Sequence, residues 1–410
     1  MTFLPNLSQA PIRTGLCFCA LAALLAPVLA FPGEDDREQP GAIRALKMIR
    51  KDILTSDEAD EMTGGYYEDL FTFSNRTIST NRLTTGKWAT NWTKFEALPT
   101  AHDDVKLNSF LYFDVRPNLN SPESWLRGRY KDRHITNSHG MADREYSLER
   151  PAGVWRVAFI GDSLTRGLGA SFGQNYESRL EARMNAAPPA PGVQGYEFLN
   201  FAVEGYRPTQ FLWVLQHKVP RFQPQVNVVA LTNLSFTRWE AHLVQLIHDG
   251  IDLHYPFLKE LVARAGVRPD DDPHMFRAKL EPYRETVLRW VLETMKQSSK
   301  EQGTQLVVFL VPAVSTNEVS LRPGFAAVRA MVESLDIPLV DVSDTFAGFE
   351  DLSPYRVGPR NEHENDRGQA LLAERLFERL QRNPRAWSLI AGTIGTEPAP
   401  ATTGRVTPTE

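Results

Sequence analysis

Cysteine is almost missing from this chain. Only two occur in 410 residues, Cys17 and Cys19, and both lie in one N-terminal apolar run. Removal of that run leaves no thiol, which excludes structural disulfides and thiolate metal sites from the remainder. Massed positive charge is missing too. The formal net charge is -5, and Lys and Arg are scattered, so the chain carries no electrostatic footprint of nucleic-acid binding. No apolar run reaches the roughly 20 residues that a membrane-spanning helix needs. Neither a P-loop, a dinucleotide-binding glycine motif nor a Gly-x-Ser-x-Gly elbow occurs. His242, His248 and His254 stand six residues apart, so they do not align at i, i+4 on one helical face as a zinc pair requires. No metal and no cofactor is expected, and no internal repeat is visible.

The N-terminus has a character of its own. Arg13 is the sole charged side chain before "LCFCALAALLAPVLA", Leu16 to Ala30, which ends in Val28-Leu29-Ala30 and gives way to the acidic "GEDDRE". This reads as a cleavable secretory signal over residues 1–30, with an uncleaved anchor as the alternative. The expectation is a secreted or periplasmic protein with no membrane span after cleavage. With 42% hydrophobic residues, the rest can bury a sizeable core.

Residues 31 to 60 are charged and helix-prone. From Tyr66 to Leu148, short aromatic and β-branched runs alternate with Asn, Pro, Gly and Ser turns, as in "SFLYFDVRPNLNSPESWLRGRY". Residues 31–150 are therefore expected to be β-rich, as a small domain or as an elaboration packed on the next one. Tyr66, Tyr67, Trp88, Trp92, Tyr112 and Trp125 there suit packing of that region, with a sugar-stacking surface as the alternative. Asn75-Arg76-Thr77 and Asn91-Trp92-Thr93 match the glycosylation triplet, a pattern common by chance.

From Trp155 the pattern becomes strand then helix. "WRVAFIG", "YEFLNFAV", "VNVVALTNL", "TQLVVFLVP" and "PLVDVS" are strand-like, and the unbroken apolar runs suit strands covered on both faces. Helical spacing appears in "YESRLEARMNA", from Glu281 to Gln302, in "FAAVRAMVESLD" and in "GQALLAERLFERLQ". This alternation predicts an α/β fold over residues 151–385, a three-layer α/β/α sandwich on a parallel sheet, with a helical insertion at 238–272. Residues 386–410 lack an apolar period and are expected to be disordered.

Sites in parallel α/β sheets form where strands end at the carboxyl edge. Ser163 follows the first strand, Gly205 the second and Asn233 the third, while His363 precedes the last helix. Each has a structural alternative. Ser163 could cap the helix that begins at Leu164, Gly205 could serve a turn, Asn233 could cap, and His363 could be solvated in a polar loop. Their order favours chemistry, because acyl transfer needs a hydroxyl, a base and donors for the oxyanion.

The same residues resemble a known family. "FIGDSLTRG" is similar to the first motif of the SGNH hydrolases, also called the GDSL family of esterases and lipases. "NFAVEGY" resembles the second motif, "ALTNL" stands where the third usually reads Gly-x-Asn-Asp, and "HENDRGQALLAERL" resembles the last. "ITNSHGMADREY" resembles a segment that often precedes the first motif in secreted bacterial members. The resemblance covers about 135 to 380 and implies a flavodoxin-like sheet. It implies Ser163 as nucleophile and His363 as base, with Ser163, Gly205 and Asn233 as the oxyanion hole. The family's Asp before the His is replaced by Asn361 or Arg360, which makes Asn361 the candidate orienting residue; Leu231 and Leu234 depart from the third motif. The implied activity is hydrolysis of an acyl ester, short-chain and carbohydrate O-acetyl by analogy. Acyl transfer to a secreted glycan and a weakened glycan-binding module on the same fold are the alternatives.

Overall fold

The computed structural model describes residues 92–93, 110–115, 117–122, 133–271, 273–314, 318–358 and 361–393. The expected signal, residues 31–91 and Arg360 lie outside them.

Five parallel strands form the central sheet: β1 (Val154–Ile160), β2 (Gly195–Asn200), β3 (Val226–Leu231), β4 (Gln305–Leu310) and β5 (Leu339–Asp341), in the order β2-β1-β3-β4-β5. β1 thus lies between β2 and β3, at the topological switch point where the chain first reverses its direction of growth across the sheet. Along each strand, alternate side chains enter opposite layers. Val157 and Phe159 join one hydrophobic cluster, and Ala158 and Ile160 join the other. This explains why β1 reads as an unbroken apolar run: both faces are covered. Phe159 is fully buried, with the rings of Phe198, Phe309 and Tyr176 around it, a burial worth about 1.5–3 kcal/mol relative to exposure.

The helices follow in chain order: α1 (Ser163–Arg166), α2 (Tyr176–Ala186), α3 (Pro208–His217), α4 (Asn233–Thr237), α5 (Ala241–His248) and α6 (Pro256–Ala265). After them come α7 (Pro273–Leu280), α8 (Arg284–Glu301), α9 (Glu318–Ser334), α10 (Asp366–Gln381) and α11 (Pro384–Ile390). Helices α2, α10 and α11 supply one outer layer, and α3, α5, α6, α8 and α9 the other. Helix α8 shows the local logic. Val287, Leu288, Val291, Leu292 and Met295 recur at helical spacing and are buried, and that stripe packs against α3. The expected α/β/α sandwich is the observed architecture.

Two further segments bear on the reading from sequence. The stretch 238–272 holds α5 and α6, and its Leu243, Leu246, Leu258 and Leu261 share one core cluster with Ala158 and Ile160. The expected disordered tail begins too early. Asn383 accepts a hydrogen bond from Ala386 N–H and starts α11, whose Ala386, Leu389 and Ile390 are buried, and Trp155 Nε1 donates to Leu389 O at 3.0 Å. A capping Asn, a Pro at the first turn and three apolar side chains suffice to order a short helix against the sheet. Residues 394–410 lie outside the described residues.

Part of the expected β-rich region is visible as two short antiparallel ribbons, Trp92–Thr93 with Asp114–Val115 and Asn120–Pro122 with Arg133–Ile135. Phe110, Leu111, Tyr112, Phe113 and Val115 enter the α3-side cluster. Hydrogen bonds hold them there, Tyr206 Oη donating to Phe113 O at 3.0 Å and Gln210 Nε2 to Leu111 O at 2.9 Å.

Candidate active site

The end of β1 turns sharply. Asp162 is extended, and its carboxylate accepts from Leu164 N–H at 3.1 Å, so Asp162 is the N-cap of α1 and Ser163 the first helical residue. The capping alternative for Ser163 is thereby answered, since the cap belongs to its neighbour. Gly167 closes α1 in the left-handed conformation, with its N–H bonded back to Ser163 O and Leu164 O. The other carboxylate oxygen of Asp162 accepts from Thr232 Oγ1 at 2.7 Å, which ties the end of β1 to the end of β3. Burial pushes the Asp162 carboxyl up, against the opposing pull of Thr232 and of the Arg207 charge.

His363 reaches Ser163 from a different element. It lies on the strand Asn361–Glu364, paired antiparallel with Arg356–Gly358, and is buried rather than solvated in a loop. Its Nε2 is 2.9 Å from Ser163 Oγ, and its Nδ1 is 2.6 Å from Asn361 Oδ1. The same Oδ1 accepts the backbone N–H of His363 at 3.1 Å. A backbone N–H can only donate, so the Asn361 atom there is an acceptor, and Nδ1 must carry the ring proton. Nε2 then presents its lone pair to the Ser163 hydroxyl, the tautomer that a general base requires. Burial desolvates the imidazole and lowers its pKa from 6.5 to about 3. Two neighbouring acids are engaged elsewhere. Glu364 is fully buried and accepts from Gln369 Nε2 at 3.2 Å, and Asp366 accepts from Ser171 N–H and Oγ at 2.7 and 2.8 Å.

The other two candidates sit on loops at the same sheet edge. Gly205 lies in a turn closed by Tyr206 N–H on Val203 O at 3.2 Å, at φ 79°, a conformation that favours glycine. Val203 N–H donates to Gly161 O at 3.2 Å, which seats this turn beside the start of the Ser163 turn. Asn233 is the first residue of α4, directly after Thr232, and its Oδ1 is buried without a hydrogen bond. Ser163, His363 and Asn361 are in direct hydrogen-bonded contact, and Gly205 and Asn233 lie on turns tied to the end of β1.

Several residues of this site have no signal in the sequence. Arg166 on α1 and Glu204 beside Gly205 form a buried ion pair that couples the two turns. Burial pushes the Glu204 carboxyl up while the Arg166 charge draws it down. Residues 38 positions apart leave no local pattern from which to read such a pair. His242, one of the three spaced histidines, is spent on packing. Its Nδ1 meets Thr209 Oγ1 at 2.8 Å and its Nε2 meets Phe110 O at 2.6 Å.

No protein-family model and no curated protein matches the sequence. Among solved structures, TesA is similar over 55% of this chain and 98% of its own, at 14% identity and a TM-score of 0.36. The acetylxylan esterase Axe2 from Geobacillus stearothermophilus is similar over 55% of this chain and 93% of its own, at 15% identity and a TM-score of 0.37. The acetyl xylan esterase AlAXEase covers 54% of this chain and 98% of its own, at 14% identity and a TM-score of 0.35. Likeness at that level identifies neither a family nor an activity.

Proposed function

We propose that the protein is a serine hydrolase of SGNH type acting on acyl esters, secreted or periplasmic, with a short acyl chain such as acetyl on a carbohydrate. The single observation that carries the reading is the chain of hydrogen bonds from Ser163 Oγ to His363 Nε2 and from His363 Nδ1 to Asn361 Oδ1. Ser163 Oγ attacks the ester carbonyl as His363 Nε2 takes its proton. The oxyanion forms against the N–H groups of Ser163 and Gly205 and the Asn233 amide. His363 returns the proton to the departing alkoxide, leaving an acyl-serine. A water then gives its proton to His363 and attacks the acyl carbon, and collapse releases the acid and restores the Ser163 hydroxyl.

One observation favours a second reading. Ser163 and His363 are both buried, at 0% and 1% exposure. A centre shielded from bulk water lets an acyl-serine wait for an alcohol, so transfer to a glycan hydroxyl is the companion reaction to measure.

The test uses an aryl acetate and a fluorophosphonate probe. The native protein is expected to take the probe on Ser163 and to release the aryl alcohol. Ser163→Ala is expected to lose at least about 10³-fold in turnover while its circular dichroism is unchanged. A folded native protein that neither labels nor turns over ester is a binding module on this fold, and the proposal fails. Acyl groups recovered on an added glycan, rather than as free acid, decide for transfer.

A further inference from the structure

Helix α1 carries the proposed nucleophile on only four residues, too few to persist by themselves. Its carbonyls show what holds it. Asp162 O accepts from Arg166 N–H, and Ser163 O from Gly167 and Leu168 N–H, all within the turn. The next three carbonyls each take a side-chain amide from elsewhere in the fold. Gln369 Nε2, on α10, donates to Leu164 O at 3.2 Å. Asn200 Nδ2, at the end of β2, donates to Thr165 O at 3.0 Å, and Asn175 Nδ2, at the N-cap of α2, donates to Arg166 O at 3.4 Å.

Each amide is itself anchored. Gln369 Oε1 accepts Tyr176 N–H at 2.7 Å, and its Nε2 also meets Glu364 Oε2 at 3.2 Å. Asn200 Oδ1 accepts Ala202 N–H at 3.1 Å, and Glu177 Oε2 lies 3.4 Å from both the Asn200 and the Asn175 amide. Asn200, Gln369, Glu177 and Glu364 are all buried at 0% exposure, so water does not replace these bonds. The three amides come from three elements, and none touches Ser163 Oγ.

We propose that Asn200, Gln369 and Asn175 are positioning residues, a cradle of side-chain amides that fixes the Ser163 turn so that Oγ stays on His363 Nε2. The proposal rests on Ser163 being the nucleophile. Its energetic logic is preorganisation: a displacement of about 1 Å at a reacting atom costs on the order of 10²-fold in rate. Glu177 and Glu364 hold the amides, and for both burial keeps the carboxyl protonated well above the ordinary range, so that neither places an unpaired charge beneath the turn.

Gln369→Glu separates positioning from mere packing. It keeps the shape and the acceptor for Tyr176 N–H. Protonated, its carboxyl donates to Leu164 O; ionised, it opposes that carbonyl and the Glu364 carboxyl, a group on which the Asp162 charge also acts. We expect kcat for an aryl acetate to fall roughly 10- to 100-fold at neutral pH, with KM within about twofold, and to recover on acidification. The native protein has no such limb, because an amide does not titrate there and His363 stays neutral down to about pH 3. Asn200→Asp, set against Thr165 O, is expected to give the same signature and answers the question if Gln369→Glu does not fold. Equal native and variant rates of fluorophosphonate labelling, with superimposable pH profiles, overturn the cradle. Failure of the native protein to label overturns instead the nucleophile reading on which it stands.

Discussion

Asn361 is the residue on which the chemistry of this site turns. Its Oδ1 fixes the tautomer of His363 as well as a carboxylate does, because the backbone N–H of His363 shares the same acceptor. It supplies no negative charge, however, so in the proposed mechanism the imidazolium formed as Ser163 gives up its proton gains only a dipole from residue 361. In a Ser-His-Asp centre, exchanging the carboxylate for its amide costs about 10⁴-fold in kcat, mostly through the wrong tautomer. Here the tautomer is right, so the remaining deficit is electrostatic. Asn361→Asp is expected to raise the pKa of His363 from about 3 toward the ordinary histidine range. The acid limb of kcat/KM should move up with it, and kcat at pH 8 should rise by about tenfold or more. An unmoved acid limb in a folded variant would show that residue 361 does not govern the imidazole.

The turns at the carboxyl edge show which features of an element the sequence exposes. The strands were legible because a parallel strand covered on both faces must be apolar throughout, as Val157 to Ile160 are. Ser163, Gly205 and Asn233 were legible as candidates because each follows such a run, and His363 because it precedes the last amphipathic helix. What stayed hidden depends on one-residue registers or on long-range pairing. Whether Asp162 or Ser163 caps α1 is a shift of one position. The order at α11 comes from a short apolar stretch that merges into a Gly, Thr and Pro-rich tail. The Arg166–Glu204 pair joins two turns that local pattern does not connect. That pair also yields a stability prediction, because it is buried. Glu204→Ala removes the carboxylate that faces the Arg166 guanidinium inside the fold, and is expected to cost about 3–5 kcal/mol in urea unfolding. Arg166→Met with Glu204→Leu removes both charges and should recover most of the loss. Equal destabilisation by the single and double variants would mean that the pair serves packing, not charge balance.

Across the whole molecule, buried ionisable groups pull stability in opposite directions with pH. His363 and His242 are depressed from 6.5 to about 3. Their burial as neutral rings contributes stability that is fully present above pH 6.5 and is lost as pH falls toward 3. Asp143 is raised from 3.8 to about 7 by burial and by the nearby Glu181, and Glu177 and Glu364 are raised well above the ordinary value. For these acids the unfolded chain ionises first, so their contribution is complete below about pH 4 and is lost as pH rises through the folded values. Each proton changes the stability by about 1.4 kcal/mol per pH unit inside its window. Asp162, Glu181 and Glu204 are raised by burial as well, so the raised acids outnumber the two histidines. At low pH the histidines and the acids that Lys and Arg hold down, such as Asp252 and Asp336, both lose stability as pH falls. The melting temperature should therefore peak on the acidic side, at about pH 4–5, and decline toward pH 8. Asp143→Asn removes one titrating acid while keeping an oxygen for Tyr146 Oη and Asn200 N–H, and it should flatten that decline. A melting temperature that climbs steadily from pH 5 to pH 8 in both proteins would show that these carboxyls are ionised in the folded state, with their charges balanced inside the fold.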